Sequence, residues 1–165
     1  MQQETEEGFL KAFDDYSDAI YRHIFFRVFN KELALDLTQD TFMKTWEYLE
    51  KGRKVENLRA FLYQVATNLV IDYSRKKKEV SLDALHDAGF DPGFQEAEKI
   101  SKNIDFSLVL QVLQKLDEND REIVSMRFVD DLSPEEIARI LGVSDNVVNV
   151  RVHRALKKLK DLVDQ

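Results

Sequence analysis

Asn146, Asn149, Val150, His153 and Arg154 recur at the spacing that gathers them on one face of a helix, with Lys157 further on. Asn and Arg side chains can make paired hydrogen bonds to base edges in the major groove, and Val can meet a thymine methyl. Arg151, Lys157 and Lys158 suit phosphate instead. Arg151 has a second reading as half of an ion pair within its own domain, and His153 as an ordinary surface histidine. Asp145, at the helix start, suits the helix dipole but opposes a nearby phosphate. A second group lies in residues 51–78, where Lys and Arg alternate with Phe61, Tyr63 and Tyr73. Rings among cations suit single-stranded nucleic acid, whose unpaired bases stack on aromatic faces. Aromatics at helical spacing also read as core. A third group is Asp36, Gln39, Asp40 and Met43, with Glu47, on an acidic helix face. Such a face is either solvated or a partner surface, and the exposed thioether favours a partner.

Enzyme chemistry finds little support. Asp36 and Asp40 have the spacing of helical metal ligands, but none of His23, His86 and His153 has a Glu three residues before it. No phosphate-binding or dinucleotide glycine pattern is present, and there is no cysteine for a thiolate site or a disulfide. The chain is therefore read as a non-enzyme, with no metal and no cofactor.

The elements that must hold these groups are helices. Apolar residues recur at three and four, and only 5 Gly and 2 Pro interrupt them. Phe9, Phe13, Tyr16, Ile20, Ile24 and Val28 predict a first helix over about 8–29 with one buried face. Ala34, Leu37, Thr41, Phe42, Thr45 and Leu49 form the inner stripe of a second, which ends near Gly52. A third follows a basic loop, with Leu58, Leu62, Val65, Ala66, Leu69 and Tyr73 inside and Phe61, Tyr63, Asn68, Asp72 and Arg75 elsewhere. Residues 79–104 hold two of the glycines and one proline and read as a linker, with a short helix at 94–101.

Residues 105–165 predict four more helices. Asn119 with Glu122 has capping-box spacing, and Ser133 with Glu136 repeats it more clearly, with Pro134 in the first turn. Ala138, Gly142 and Val148 then mark a helix-turn-helix: a small contact residue, a glycine in the turn, and an inward valine. Ile137, Leu141 and Val143 complete its core, and Ser144 caps the base-reading helix.

Charge divides along the same lines. The formal net charge is −7, yet residues 51–78 hold 8 Lys+Arg against 2 Asp+Glu, and residues 146–160 hold 5 against none. Phosphates respond to the field within about 10 Å at moderate salt, so two basic segments can meet nucleic acid inside an acidic chain. The N-terminus lacks the apolar run of a signal peptide, and no stretch approaches the roughly 18 apolar residues of a membrane span. A soluble cytoplasmic protein without membrane insertion is expected.

"ALDLTQDTFMKTWEYL", "NLRAFLYQVATNLVIDYSRKKK" and the helix-turn-helix ending "VRVHRALKKL" together resemble an extracytoplasmic-function sigma factor of the sigma-70 superfamily. The resemblance implies an all-α protein of two small helical domains joined by a flexible linker: a region 2-like domain at 1–78, a linker at 79–104 and a region 4-like domain at 105–165. It implies a monomer when free, whose partners are bacterial core RNA polymerase, promoter DNA and an anti-sigma factor. It implies that Asp36, Gln39, Asp40 and Met43 dock on the polymerase clamp. It places Arg53, Lys54, Asn57, Arg59, Tyr63, Asn68, Asp72, Arg75 and Lys76 at the opened −10 element. Asn146, Asn149, Val150, Arg151, His153, Arg154 and Lys157 would read the −35 element as duplex. Phe61 stands where the family often has Trp, and Asn149 and Val150 where it often has a basic residue and Ser. A stand-alone helix-turn-helix regulator is the alternative; it leaves the basic aromatic helix without a task.

Overall fold

The computed structural model describes residues 2–81 and 104–164. Three long helices, α1 (Gln2–Val28), α2 (Lys31–Glu50) and α3 (Leu58–Ser81), pack pairwise into a bundle. The expected helix at 94–101 lies outside the described residues. The second half comprises α4 (Ile104–Lys115), α5 (Glu118–Val124), which runs on into a π-helical turn (Ser125–Val129), α6 (Pro134–Leu141) and α7 (Asp145–Val163).

Local chemistry explains the boundaries. Between α1 and α2 the chain turns at Phe29, buried at φ 53°, and Asn30 caps α2 by accepting the Leu33 N–H at 3.1 Å. The inner stripe of α2 is buried as its period requires, except that Leu49 is half-buried. Its polar members cost little, because the hydroxyls of Thr38, Thr41 and Thr45 donate to the carbonyls of Ala34, Leu37 and Thr41 at 2.6–2.8 Å. Asn57 begins α3, its side-chain oxygen accepting the Ala60 N–H at 3.0 Å.

Several expectations are corrected. α1 starts at Gln2, because the acidic first turn continues the helix rather than preceding it. Phe13 is 46% exposed, resting edge-on against Phe42 at 4.9 Å instead of entering the core. α5 is capped by Asp117, which accepts the Asp120 N–H at 2.8 Å, and not by Asn119. A carboxylate is the stronger acceptor there, and Arg121 fixes the preceding turn by donating to the carbonyls of Leu113, Gln114 and Leu116.

The helix-turn-helix follows its signals closely. Ser133 and Glu136 form a reciprocal capping box, Pro134 opens α6, and Ser144 accepts the Val147 N–H at 3.2 Å to cap α7. Ala138 and Val148 are buried where the two helices cross. Gly142 ends α6 at φ 69° in the left-handed region, and a Cβ there would meet nothing within 4 Å. Gly142→Ala is therefore expected to cost about 1–2 kcal/mol, from backbone strain alone. Thermal unfolding followed by helical circular dichroism measures it.

The two halves lie against each other. α1 and α3 contact the π turn, α5 and α6, and the buried apolar side chains of both halves form one continuous cluster.

Candidate polymerase and nucleic-acid surfaces

On α2, Asp36, Gln39, Asp40, Met43 and Glu47 all face solvent, because the opposite stripe is committed to the bundle. Met43 is 60% exposed. Beside it, Phe9, Phe13, Phe42 and Trp46 line a groove of about 610 Å³ that Gln39, Glu47 and Glu50 edge. The surface is thus acidic with an apolar floor. Sequence periodicity missed that floor by assigning Phe13 to the core.

The loop before α3 exposes Arg53 and Lys54. The Arg53 guanidinium lies over the Tyr48 ring at 5.1 Å, and Tyr48 meets Phe61 with ring centroids 4.8 Å apart. Both rings are half-buried. Tyr48 was not singled out by sequence; its position on α2, one turn from the basic loop, is the signal that could have found it. Asn57 is exposed, and its amide nitrogen remains available while its oxygen caps α3. Asn68, Asp72, Arg75 and Lys76 are exposed further along α3, with Arg75 and Asp72 3.7 Å apart.

Arg59 and Tyr63 are placed differently. Tyr63 is only 2% exposed, with Arg59 over its ring at 5.3 Å and His23 edge-on at 5.2 Å. Burial pushes its phenol up to about 12, so it is neutral at physiological pH. Arg59 donates to Glu136 at 2.6 Å and to the Asp130 carbonyl at 3.5 Å. The second half covers this part of α3, a packing that no helical period could reveal.

On α7, Asn146, Asn149, Val150, Arg151, His153, Arg154 and Lys157 are all exposed, while Val148 and Ala155 turn inward. No salt bridge engages Arg151 among the described residues, which favours its phosphate reading. Lys158 is committed within its domain: it pairs with Asp120 at 2.7 Å and Asp117 at 3.8 Å. The hydrogen bond to Asp120 raises its pKa above the ordinary lysine value.

A row of polar contacts joins the halves, and sequence reading missed it. His23, wholly buried, meets Asp130 at 2.6 Å through Nδ1 and Thr67 at 3.0 Å through Nε2. Arg27 pairs with Glu122 at 2.9 Å, and burial pulls its guanidinium below the ordinary value against the attraction of Glu122 and Asp130. Arg121 stacks over Phe29 at 5.0 Å, and Lys78 pairs with Glu118 at 3.1 Å. The available signal was His23 itself, one polar residue between Ile20 and Ile24 on an apolar face, with Arg27 a turn later.

Among the described residues no group of three or more His, Asp or Glu could hold a metal ion, and no helix is long and apolar enough to cross a membrane.

Comparison with known proteins agrees with this anatomy. Residues 7–80 match sigma-70 region 2, and residues 106–159 match sigma-70 region 4. The RNA polymerase sigma factor YlaC of Bacillus subtilis is 32% identical over 151 residues, covering 88% of this chain and 86% of its own. The ECF RNA polymerase sigma factor BldN of Streptomyces coelicolor is 30% identical over 164 residues, 95% of this chain but 61% of the relative's length. In fold, the chain resembles the sigma factor RpoE of Bartonella quintana, solved in complex with the anti-sigma factor NepR, with a TM-score of 0.78, 22% identity and coverage of 96% and 98%. A chain with both regions in this order, with the helix-turn-helix built as described, belongs to the ECF sigma factors of the sigma-70 family.

Proposed function

We propose that this protein is the promoter-specificity subunit of bacterial RNA polymerase, acting in the cytoplasm and contributing no catalytic step of its own. The observation that carries the reading is the presence on one chain of an acidic, apolar-floored face on α2, a basic loop beside stacked rings, and an unobstructed base-reading face on α7.

Each surface then has a task set by its chemistry. Asp36, Gln39, Asp40 and Met43 dock on a basic helical surface of the core enzyme, with the Phe9–Phe42 groove taking an apolar side chain. Arg53 and Lys54 hold the backbone of the non-template strand, and an unstacked base lies against Tyr48 or Phe61. Asn57, Asn68, Asp72, Arg75 and Lys76 continue that surface along α3, and Arg59 and Tyr63 join it only once the second half no longer covers them. On α7, Asn149 and Arg154 read base edges while Arg151 and Lys157 hold phosphates of the −35 duplex. Two modest readers on one chain gain avidity only when both elements sit at the right separation. The overall negative charge disfavours solitary DNA binding, so the polymerase supplies much of the affinity. Family membership extends the proposal to an anti-sigma partner that masks these surfaces.

Fluorescence anisotropy of fork-junction DNA, drawn from a genomic pool enriched by holoenzyme binding, tests the reading. Sequence-specific binding is expected only when this protein and core polymerase are both present. Tight duplex binding by the protein alone, indifferent to core, would instead make it a free-standing regulator.

A further inference from the structure

Asp145 opens the base-reading helix, yet the helix does not need its side chain. Ser144 already caps α7 by accepting the Val147 N–H, and no salt bridge engages Asp145 among the described residues. Asp145 is exposed, and no Lys or Arg occurs from Asp145 to Val150 to offset its charge. Attraction to the helix dipole accounts for a carboxylate on a free helix, but not for one on a surface that meets phosphates. In helix-turn-helix proteins this end of the helix is the one that contacts base edges, so the repulsion falls where binding is decided. We infer that Asp145 is a specificity-determining residue for the −35 element: its carboxylate accepts a hydrogen bond from the amino group of a cytosine, beside the adenine that Asn149 reads. This rests on the assignment of α7 to the −35 duplex.

The chemistry of the major groove selects the base. An ionised carboxylate can only accept hydrogen bonds. On its groove edge cytosine offers an amino donor alone, guanine two acceptors, and thymine an acceptor and a methyl. Adenine sets its donor beside the N7 acceptor, an edge that matches the amide of Asn better than a carboxylate. Cytosine is therefore the base that meets Asp145 without opposing acceptors. The neighbouring residues agree. Asp145 and Asn149 are four residues apart, so their side chains leave α7 on one side, Asp145 one turn nearer the N-terminus. Asn146 and Asn149 are exposed, and Val147 and Val150 present methyl groups at 38% and 46% exposure. Arg and Lys, the usual readers of guanine, are missing from this segment. Asp145 then acts mainly by exclusion: phosphate repulsion weakens binding to every duplex, and only a cytosine amino group in its reach offsets the loss.

The test uses the full chain with core RNA polymerase. A promoter fragment recovered from the genomic pool is randomised across its −35 element, and the sequences that holoenzyme retains are compared for the parent, Asp145→Ala, Asp145→Asn and Asn149→Ala. The parent is expected to retain cytosine at one position and adenine at a neighbouring one. Asp145→Ala should lower the cytosine preference on the order of tenfold, keep the adenine, and bind mismatched duplexes more tightly than the parent does. Asp145→Asn should move the same position toward adenine. Both Asp145 variants keep the Ser144 cap, so helical circular dichroism should not change. A parent with no cytosine preference, or a preference that survives in Asp145→Ala, would overturn the inference. So would a gain in affinity that is equal on all sequences, which would leave Asp145 with phosphate repulsion alone. Asn149→Ala separates this failure from that of the underlying reading. If it changes the retained sequences and Asp145→Ala does not, α7 still reads the −35 element and only the role of Asp145 fails. If neither variant changes them, the assignment of α7 fails.

Discussion

Reversing two charges, Asp36→Lys together with Asp40→Lys, is expected to lower affinity for core RNA polymerase on the order of 100-fold or more, since like charges brought face to face across an interface cost several kcal/mol. Both residues are exposed on α2, and neither takes part in a salt bridge among the described residues. The fold therefore has no stake in their sign. Lys is also a good helix former, so α2 should keep its length. The measurement is titration of labelled protein with core enzyme, with circular dichroism alongside. Association is expected to slow and to become less sensitive to salt, because steering is lost with the charge. Met43→Ala should weaken binding by a smaller, salt-independent amount. Binding at the parent level by the double variant would move the docking surface away from α2.

The second large effect is expected at His23. His23→Ala removes the partner of a buried carboxylate: the Asp130 side chain is 2% exposed and its Oδ2 lies 2.6 Å from His23 Nδ1. Leaving a buried acceptor without its donor costs about 1–3 kcal/mol, more where the acceptor is a carboxylate in an apolar setting. Thr67 loses its contact with Nε2 as well. The chain has a cheaper escape than unfolding, since parting the halves returns Asp130 to water. The expected result is therefore selective. Hydrogen exchange should accelerate along the faces of α1, α3 and the π turn that meet one another, while amides inside α2 and in the α6–α7 pair stay protected. Global loss of protection would show that the row supports the folding of each half. Unchanged exchange would show that the triad contributes nothing to holding the halves together.

How far these features could be read from sequence depended on their range. The capping box at Ser133 and Glu136, the left-handed Gly142 and the Ala138–Val148 crossing are local, and a few residues of spacing specify them. The exposed faces of α2 and α7 follow from helical period, because once Leu37, Thr41 and Thr45 point inward, Asp36 and Asp40 cannot. Tyr63 and Arg59 fall outside that logic. Period places them off the bundle's buried stripe. Arg59 is engaged by Glu136 and Asp130, some 70 residues away, and Tyr63 lies against Arg59 and the buried His23, contacts that no local pattern encodes. Phe13 fails for the opposite reason: its spacing is right for the core, but the α1–α2 packing leaves it on the rim of an open groove. The cap of α5 was displaced by two residues because Asn119 and Asp117 both fit the pattern, and only the Arg121 contacts to the end of α4 select Asp117.

The π-helical turn sets how the two halves face each other. The Asp130 N–H bonds to the Ser125 carbonyl at 2.9 Å, five residues back, so this segment holds one residue more than an α-helical turn would. One residue of α-helix is about 100° of rotation. Without the extra residue, the Asp130 carboxylate would point away from His23, and the chain leading to Ser133 and Glu136 would leave α5 in another direction. Loss or gain of one residue in 125–129 would re-aim the carboxylates that meet α1 and α3, although the exposed face of α7 is built from residues further along the chain. Chain length at this one turn is thus part of what aligns Asp130 with His23 across the two halves.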